Sequence, residues 1–425
     1  MKFRVTRRTS LKSLAALLYS CLLLNNCHMP ENKSTEMGAS PAAQSATIAR
    51  STDPVQIHRR AIVIDMHADT AQRLVDEHID INQKLAAGHL DAVRMKEGGL
   101  DAQFFAIWVE PEYYGAGGQS AMRRADAQIK AIRALATKHP ETWELATTAA
   151  DIRRIASEGK LAALIGLEGG YAIDEKLENV ERFYQLGVRY MSPAWSVSTS
   201  WAGSSGDQAG QMRGLNEFGK RVIHEMNRLG MMVDVSHVSD KTFWDIIETS
   251  TKPVIATHSN ARSLADVPRN LTDEQIKAIA RGGGVVCVVF YPEFLEPGWR
   301  KRRAQVDAEI APLVEQASNA EKGTAAQKKL ARDRVRAAEY LRRMPPVTLA
   351  RICDHIDHIV KLAGVDAVGI GSDFDGIQAV PSDLTSVADL PNLTAELLRR
   401  GYSETDVDKI LGGNILRVME EVEKH

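Results

Sequence analysis

The chain has 425 residues, of which 44% are hydrophobic and 25% charged, the proportions of a globular protein with a sizeable core. Lysine and arginine number 53 against 55 aspartates and glutamates. The resulting net charge of −2 lacks the basic excess of a nucleic-acid binder. Four cysteines are too few for a disulfide scaffold, and the composition also excludes collagen-like and mainly disordered chains.

The first segment reads as an address rather than as part of the fold. Arg7 and Arg8 precede an apolar run from about Leu14 to Leu24, the layout of an export signal of twin-arginine type over residues 1–27. The run is too short for a membrane span of about 20 residues. Cys21, after Leu18-Tyr19-Ser20, and Cys27, after Leu24-Asn25-Asn26, are the two candidates for lipid attachment. Residues 28–54 are rich in Ser, Ala, Thr and Asn and read as a linker. The expected destination is the periplasm or cell envelope, with or without a lipid anchor.

From residue 55 to 425, short apolar runs alternate with amphipathic stretches. The predicted strands are Ala61–Asp65, Ala102–Val109, Leu161–Leu167, Val188–Ser192, Met231–Val235, Pro253–Thr257, Gly284–Phe290 and Ala367–Gly371. Most are apolar throughout, as parallel strands covered on both faces should be. Ala121–Lys138, Leu215–Leu229 and Leu349–Ala363 read as helices, and Thr272 with Gln275 forms a capping-box pattern. This alternation predicts a (β/α)8 barrel with insertions, with a doubly wound open sheet as the rival. One insertion is expected at about 301–345: residues 301–343 hold 11 Lys/Arg and 6 Asp/Glu, a surplus of +5 on a solvated helical excursion. Cys287 and Cys353 are expected to be free thiols, Cys287 within a buried strand.

Chemistry gathers at the strand ends. The first strand leads into His67-Ala68-Asp69, the third into Glu168, the fifth into His237 and the sixth into His258. Each alone is weak. Together, five metal-type side chains fall at the C-terminal ends of four strands, and in a barrel those ends share one mouth. Three histidines and two carboxylates exceed what one tetrahedral zinc needs, whereas a two-metal site bridged by Glu168 uses them all. The other histidines, including His355 and His358 on Leu349–Ala363, are read as structural. No Gly-x-Ser-x-Gly context supports a serine hydrolase.

Over roughly residues 55–420 the chain resembles the renal-type membrane dipeptidases. The resemblance rests on five stretches in order: His67-Ala68-Asp69, Gly98–Phe105, Gly187–Met191, Asp234–His237 and Gly371–Gly376. It implies a (β/α)8 barrel holding two zinc ions, with His67 and Asp69 on the first, His237 and His258 on the second, and Glu168 bridging. It further implies that Arg269 clamps the terminal carboxylate of a small peptide substrate and that Asp373 lies by the free amine and scissile bond. Asp373 and Glu168 are thus the catalytic candidates. Trp195 and Tyr291 complete the substrate-facing set. Family members often dimerise, so a homodimer is an expectation.

One position departs from that pattern. Trp195 stands where the family usually has a histidine facing the substrate carbonyl, and no histidine lies between His139 and His224. An indole donates one N–H and cannot take up positive charge. Three readings follow: a binuclear zinc dipeptidase; a related amidohydrolase acting on N-acyl or D-amino-acid amides or a lactam; and a non-catalytic envelope binding lipoprotein that keeps the barrel.

Overall fold

The computed structural model describes residues 53–114 and 119–424. The expected export signal, with Cys21 and Cys27, and nearly all of the expected linker lie outside the described residues. Among the described residues no helix is long and apolar enough to cross a membrane.

Among the described residues nine parallel strands form one sheet: β1 (Ile64–Ala68), β2 (Ala102–Trp108), β3 (Trp143–Leu145), β4 (Leu161–Glu168), β5 (Val188–Ser192), β6 (Met232–Asp234), β7 (Val254–Ala256), β8 (Val285–Val288) and β9 (Val368–Ile370). Their order is β2-β1-β9-β8-β7-β6-β5-β4-β3, and pairing of β2 with β4 closes eight of them into a ring. The closed barrel rules out the open doubly wound sheet. Strand β3 stays outside the ring. It pairs with the first residues of β4, Leu161 to Ala163, and β5 takes over that edge from Ile165.

Alternation explains why these strands read as apolar throughout. Ile64, Phe104, Leu164, Tyr190, Met232, Ile255 and Cys287 pack with one another, on the barrel interior. Phe105, Ile107, Ile165, Val233 and Val286 pack in the second cluster, against the surrounding helices. The C-terminal helix Asn414–Glu423 adds Ile415, Leu416, Val418 and Met419 to the interior cluster.

The helices follow their local signals. Leu349–Ala363 turns Ile352, Ile356 and Ile359 inward, all fully buried. Thr272 and Gln275 close a reciprocal capping box on Asp273–Arg281. The charged stretch forms two helices packed on each other, Trp299–Ala320 and Ala325–Arg343. Cys287 and Cys353 are buried free thiols.

Candidate metal centre

A break in the first strand builds the centre's near side. Ile64 and Asp65 pair with Ala102 and Gln103, but Ala68 pairs with Phe105, so the register slips between Asp65 and Ala68. Ala68 joins the helix-facing layer, and the bulged His67 turns its ring toward the chamber. His67 Nε2 lies 3.4 Å from Glu168 Oε2, 3.8 Å from Asp69 Oδ2 and 4.0 Å from Asp373 Oδ1. That nitrogen is buried and has no hydrogen-bond partner among the described residues.

Glu168, at the end of β4, reaches the other side. Its Oε1 lies 2.8 Å from His237 Nε2 and 3.5 Å from His258 Nε2, and the two histidine nitrogens are 2.9 Å apart. One carboxylate thus touches both halves of the cluster, one oxygen to each. All five expected ligands converge, and Asp373 joins them beside His67 and Asp69.

Hydrogen bonds behind the cluster decide which nitrogen faces inward. Thr257 donates its hydroxyl hydrogen to Asp234 Oδ2 at 2.8 Å, so its oxygen is left to accept from His258 Nδ1 at 2.7 Å. His258 therefore carries its proton at Nδ1 and presents a lone pair at Nε2. Tyr190 plays the corresponding part for His67, its hydroxyl 2.9 Å from Nδ1. Gly166 makes room for that tyrosine: a Cβ there would lie 2.0 Å from the Tyr190 ring. Neither Tyr190 nor Thr257 was singled out from the sequence, since each looks like an ordinary strand residue.

Two cluster residues sit in strained backbone. His237 has φ +70° and Asp373 φ +65°, a left-handed region that costs non-glycine residues about 1–3 kcal/mol. The His237 carbonyl is held there by Ser205 N at 2.8 Å, Ser205 Oγ at 3.1 Å and Ser204 Oγ at 3.2 Å. The Asp373 turn is held by its own N–H on the His67 carbonyl at 3.0 Å. Asp375, two residues on, accepts from Thr70 Oγ1, His89 N and Arg73 Nη1. Gly376 admits the carboxylates, because a Cβ there would lie 2.0 Å from Asp69 Oδ2 and 2.6 Å from Asp373 Oδ1.

The donor set fits divalent cations. Burial holds the His237 and His258 imidazoles far below their usual range, hence neutral, which is the form that binds metal. Burial pushes Glu168 up to about 8 and, with Glu168 beside it, raises Asp69 well above an ordinary aspartate. Burial likewise lifts Asp373 to about 6. Crowded carboxylates resist ionising together unless positive charge sits among them, and a metal ion supplies that charge.

Arg269 borders the same chamber. Its guanidinium is buried, its Nη1 donates to Ser259 Oγ at 2.6 Å, and its Nε and Nη2 have no partner among the described residues. Burial pulls it down to about 10, against the attraction of Asp234, Asp373 and Glu168. A desolvated fork with two free donors is a receptor for a carboxylate.

Trp195 is half-buried at the mouth, its ring 6.1 Å from His237 and 4.7 Å from Trp108. Tyr291 is not brought into the cluster. Its hydroxyl lies 2.6 Å from Arg303 and 3.4 Å from Glu293, and its ring packs at 5.0 Å on Phe294, over which Arg269 lies. Trp201 is fully buried packing. His355 is structural, accepting from Ala261 N and meeting the Leu295 carbonyl.

In sequence and fold the chain is similar to known dipeptidases. Dipeptidase 3 of Rattus norvegicus is 33% identical over 335 residues, 78% of this chain and 58% of the relative. The chain thus spans somewhat over half the length of that curated relative. Among solved structures, the probable dipeptidase PvdM from Pseudomonas aeruginosa superposes with TM-score 0.72 at 28% identity, covering 87% of this chain and 97% of that one. A metallo peptidase from Rhodobacter sphaeroides, liganded with a phosphinate mimic of L-Ala-D-Ala, gives TM-score 0.68 at 27% identity, covering 85% and 99%. The profile of the membrane dipeptidases, peptidase family M19, matches residues 52–425, and the chain belongs to that family.

Proposed function

We propose that the protein is a two-zinc dipeptidase that hydrolyses short substrates with a free C-terminal carboxylate. The observation that carries this reading is Arg269, a buried guanidinium with two unpartnered nitrogens beside the convergent histidines and carboxylates. His67 and Asp69 would hold one ion, His237 and His258 the other, with Glu168 between them. Ions held there would lower the pKa of water and polarise the scissile carbonyl.

The chain's own residues do the rest. Arg269, steadied by Ser259, fixes the substrate carboxylate and so the register of the peptide. Asp373, 4.0 Å from His67 Nε2, takes the proton lost by the attacking water. As the carbon–nitrogen bond breaks, it hands that proton to the departing amine. Tyr190 and Thr257 keep the His67 and His258 rings oriented.

Trp195 favours a second reading, a related amidohydrolase acting on N-acyl or D-amino-acid amides or a lactam, because the indole cannot become a charged donor to the carbonyl. A panel of L,L-dipeptides, L,D-dipeptides, N-acyl amino acids and a lactam, each with the zinc-loaded protein, separates the two. Turnover confined to the last two classes would overturn the dipeptidase reading. The presence of every expected ligand argues against a non-catalytic binding lipoprotein. We also propose export to the periplasm or cell envelope, on the strength of Arg7-Arg8 and the apolar run, with Cys21 or Cys27 as a lipid anchor point. A homodimer is part of the same proposal.

A further inference from the structure

The two sides of the chamber mouth differ in chemistry, and the strand order fixes where each lies. Around the ring the strands run β1, β2, β4, β5, β6, β7, β8, β9. Trp108 ends β2 and is paired in register with Glu168, so its side chain shares the chamber face with that carboxylate. Trp195 follows β5, Arg269 follows β7, and Phe294 beneath Arg269 follows β8. Strand β2 is diametrically opposite β7. Trp108 therefore stands across the mouth from the guanidinium, and Trp195, which follows β5 on the arc between them, leans its ring against Trp108 at 4.7 Å.

The tryptophan side is largely aromatic. The Trp108 and Trp195 rings are tilted by 58° at 4.7 Å. Tyr171, which flanks Gly169 together with Trp195, gives its hydroxyl to the Val197 carbonyl. Trp108 Nε1 is buried without a partner among the described residues. Such a donor carries a desolvation penalty until an acceptor reaches it. The wall thus presents ring faces and the indole N–H groups of Trp108 and Trp195.

Resting on the dipeptidase reading, we propose that Trp108 and Trp195 form the specificity wall for the residue on the N-terminal side of the scissile bond, selecting an aromatic or large apolar side chain. A substrate held by its carboxylate at Arg269, with its carbonyl over the cluster, projects that residue toward the tryptophans. Ring-on-ring contact there stabilises an aromatic group beyond simple area burial. A methyl side chain leaves the wall uncovered.

The test is calorimetric binding of two phosphinate dipeptide analogues to the zinc-loaded protein, both ending in alanine. One carries a benzyl and the other a methyl group on the N-terminal side. The wild-type protein should bind the benzyl analogue about tenfold more tightly, from burial plus ring contact. Trp195→Ala should bring that ratio to within about twofold, chiefly by weakening the benzyl analogue. Trp195→Phe keeps a ring face and should retain most of the preference; it decides the matter if the alanine variant does not fold. Equal affinities in the wild type, or equal losses on both analogues in Trp195→Ala and Trp195→Phe, would overturn the wall. Kinetics on Phe-Ala and Ala-Ala tell the two ideas apart. Hydrolysis of both without the binding preference removes the wall and keeps the dipeptidase. Absence of both binding and hydrolysis removes both.

Discussion

Replacing Arg269 by methionine should harm function and help stability, a combination that follows from its surroundings. The guanidinium is buried beside Asp234, Asp373 and Glu168, yet burial outweighs those charges and brings it well below the ordinary guanidinium range, to about 10. Each pH unit of that depression corresponds to about 1.4 kcal/mol, so keeping the charge buried in the chamber costs about 3 kcal/mol. At pH 7 both the folded and unfolded chains hold the proton, so the whole penalty is present. It fades only as pH rises through about 10 toward the ordinary guanidinium range. Methionine fills similar volume without charge and forfeits the hydrogen bond to Ser259, a loss of about 1 kcal/mol. The net gain for the metal-free protein is about 2 kcal/mol.

The functional loss should be larger. A charge-assisted pair to the substrate carboxylate, removed from a desolvated site, lowers kcat/KM by about 2–4 kcal/mol, or roughly 30- to 1000-fold. Urea denaturation in chelator reads the first effect, and kinetics on a dipeptide and its C-terminal amide read the second. The amide has no carboxylate to lose and should barely notice the change. A variant that unfolds at lower urea than wild type, and loses equally on both substrates, would show that Arg269 is a structural ion-pair partner.

Three further outcomes follow. Thr257→Val severs the Asp234–Thr257–His258 chain without changing shape, so zinc affinity measured by chelator competition should fall about 10- to 100-fold while circular dichroism stays unchanged; unaltered affinity would mean His258 is oriented by packing alone. Gly376→Ala puts a methyl carbon within 2.0 Å of Asp69 Oδ2 and should reduce both metal content and turnover, and full activity would show that the Asp373 turn yields easily. Replacing Arg7-Arg8 by Lys-Lys should leave precursor in the cytoplasm, and normal processing would favour the general secretory route; fatty-acid labelling of Cys21→Ala and Cys27→Ala variants locates any lipid.

The barrel was legible because its strands are apolar on both faces, a pattern that few other folds impose. Leu349–Ala363 matches the expected helix residue for residue. The first strand is less well read: the expected Ala61–Asp65 lies three residues before the observed Ile64–Ala68. The helix Pro54–Arg60 ends at Ala61, and pairing starts only at Ile64 opposite Ala102. Composition cannot show that start, nor the bulge that aims His67. Strand β3 escaped notice because three residues with a central glutamate carry no periodicity. The metal-type side chains were visible because histidine and carboxylate at strand ends are chemically distinctive. The residues that hold them are not distinctive: Tyr190, Thr257, Ser204 and Ser205 matter through where the chain brings them. Asp234 belongs to the Asp234–His237 stretch, yet its part in orienting His258 emerges only from the hydrogen-bond chain.

The central claim is a two-ion site bridged by Glu168, and counting the metal tests it most directly. The purified chain, stripped with chelator and reloaded with zinc, should carry two tightly held ions per chain by elemental analysis. Glu168→Gln should bring that number down, because its Oε1 and Oε2 face opposite halves of the cluster. A wild-type protein that saturates at one ion, or a Glu168→Gln protein that still holds two with unchanged affinity, would contradict the bridged site.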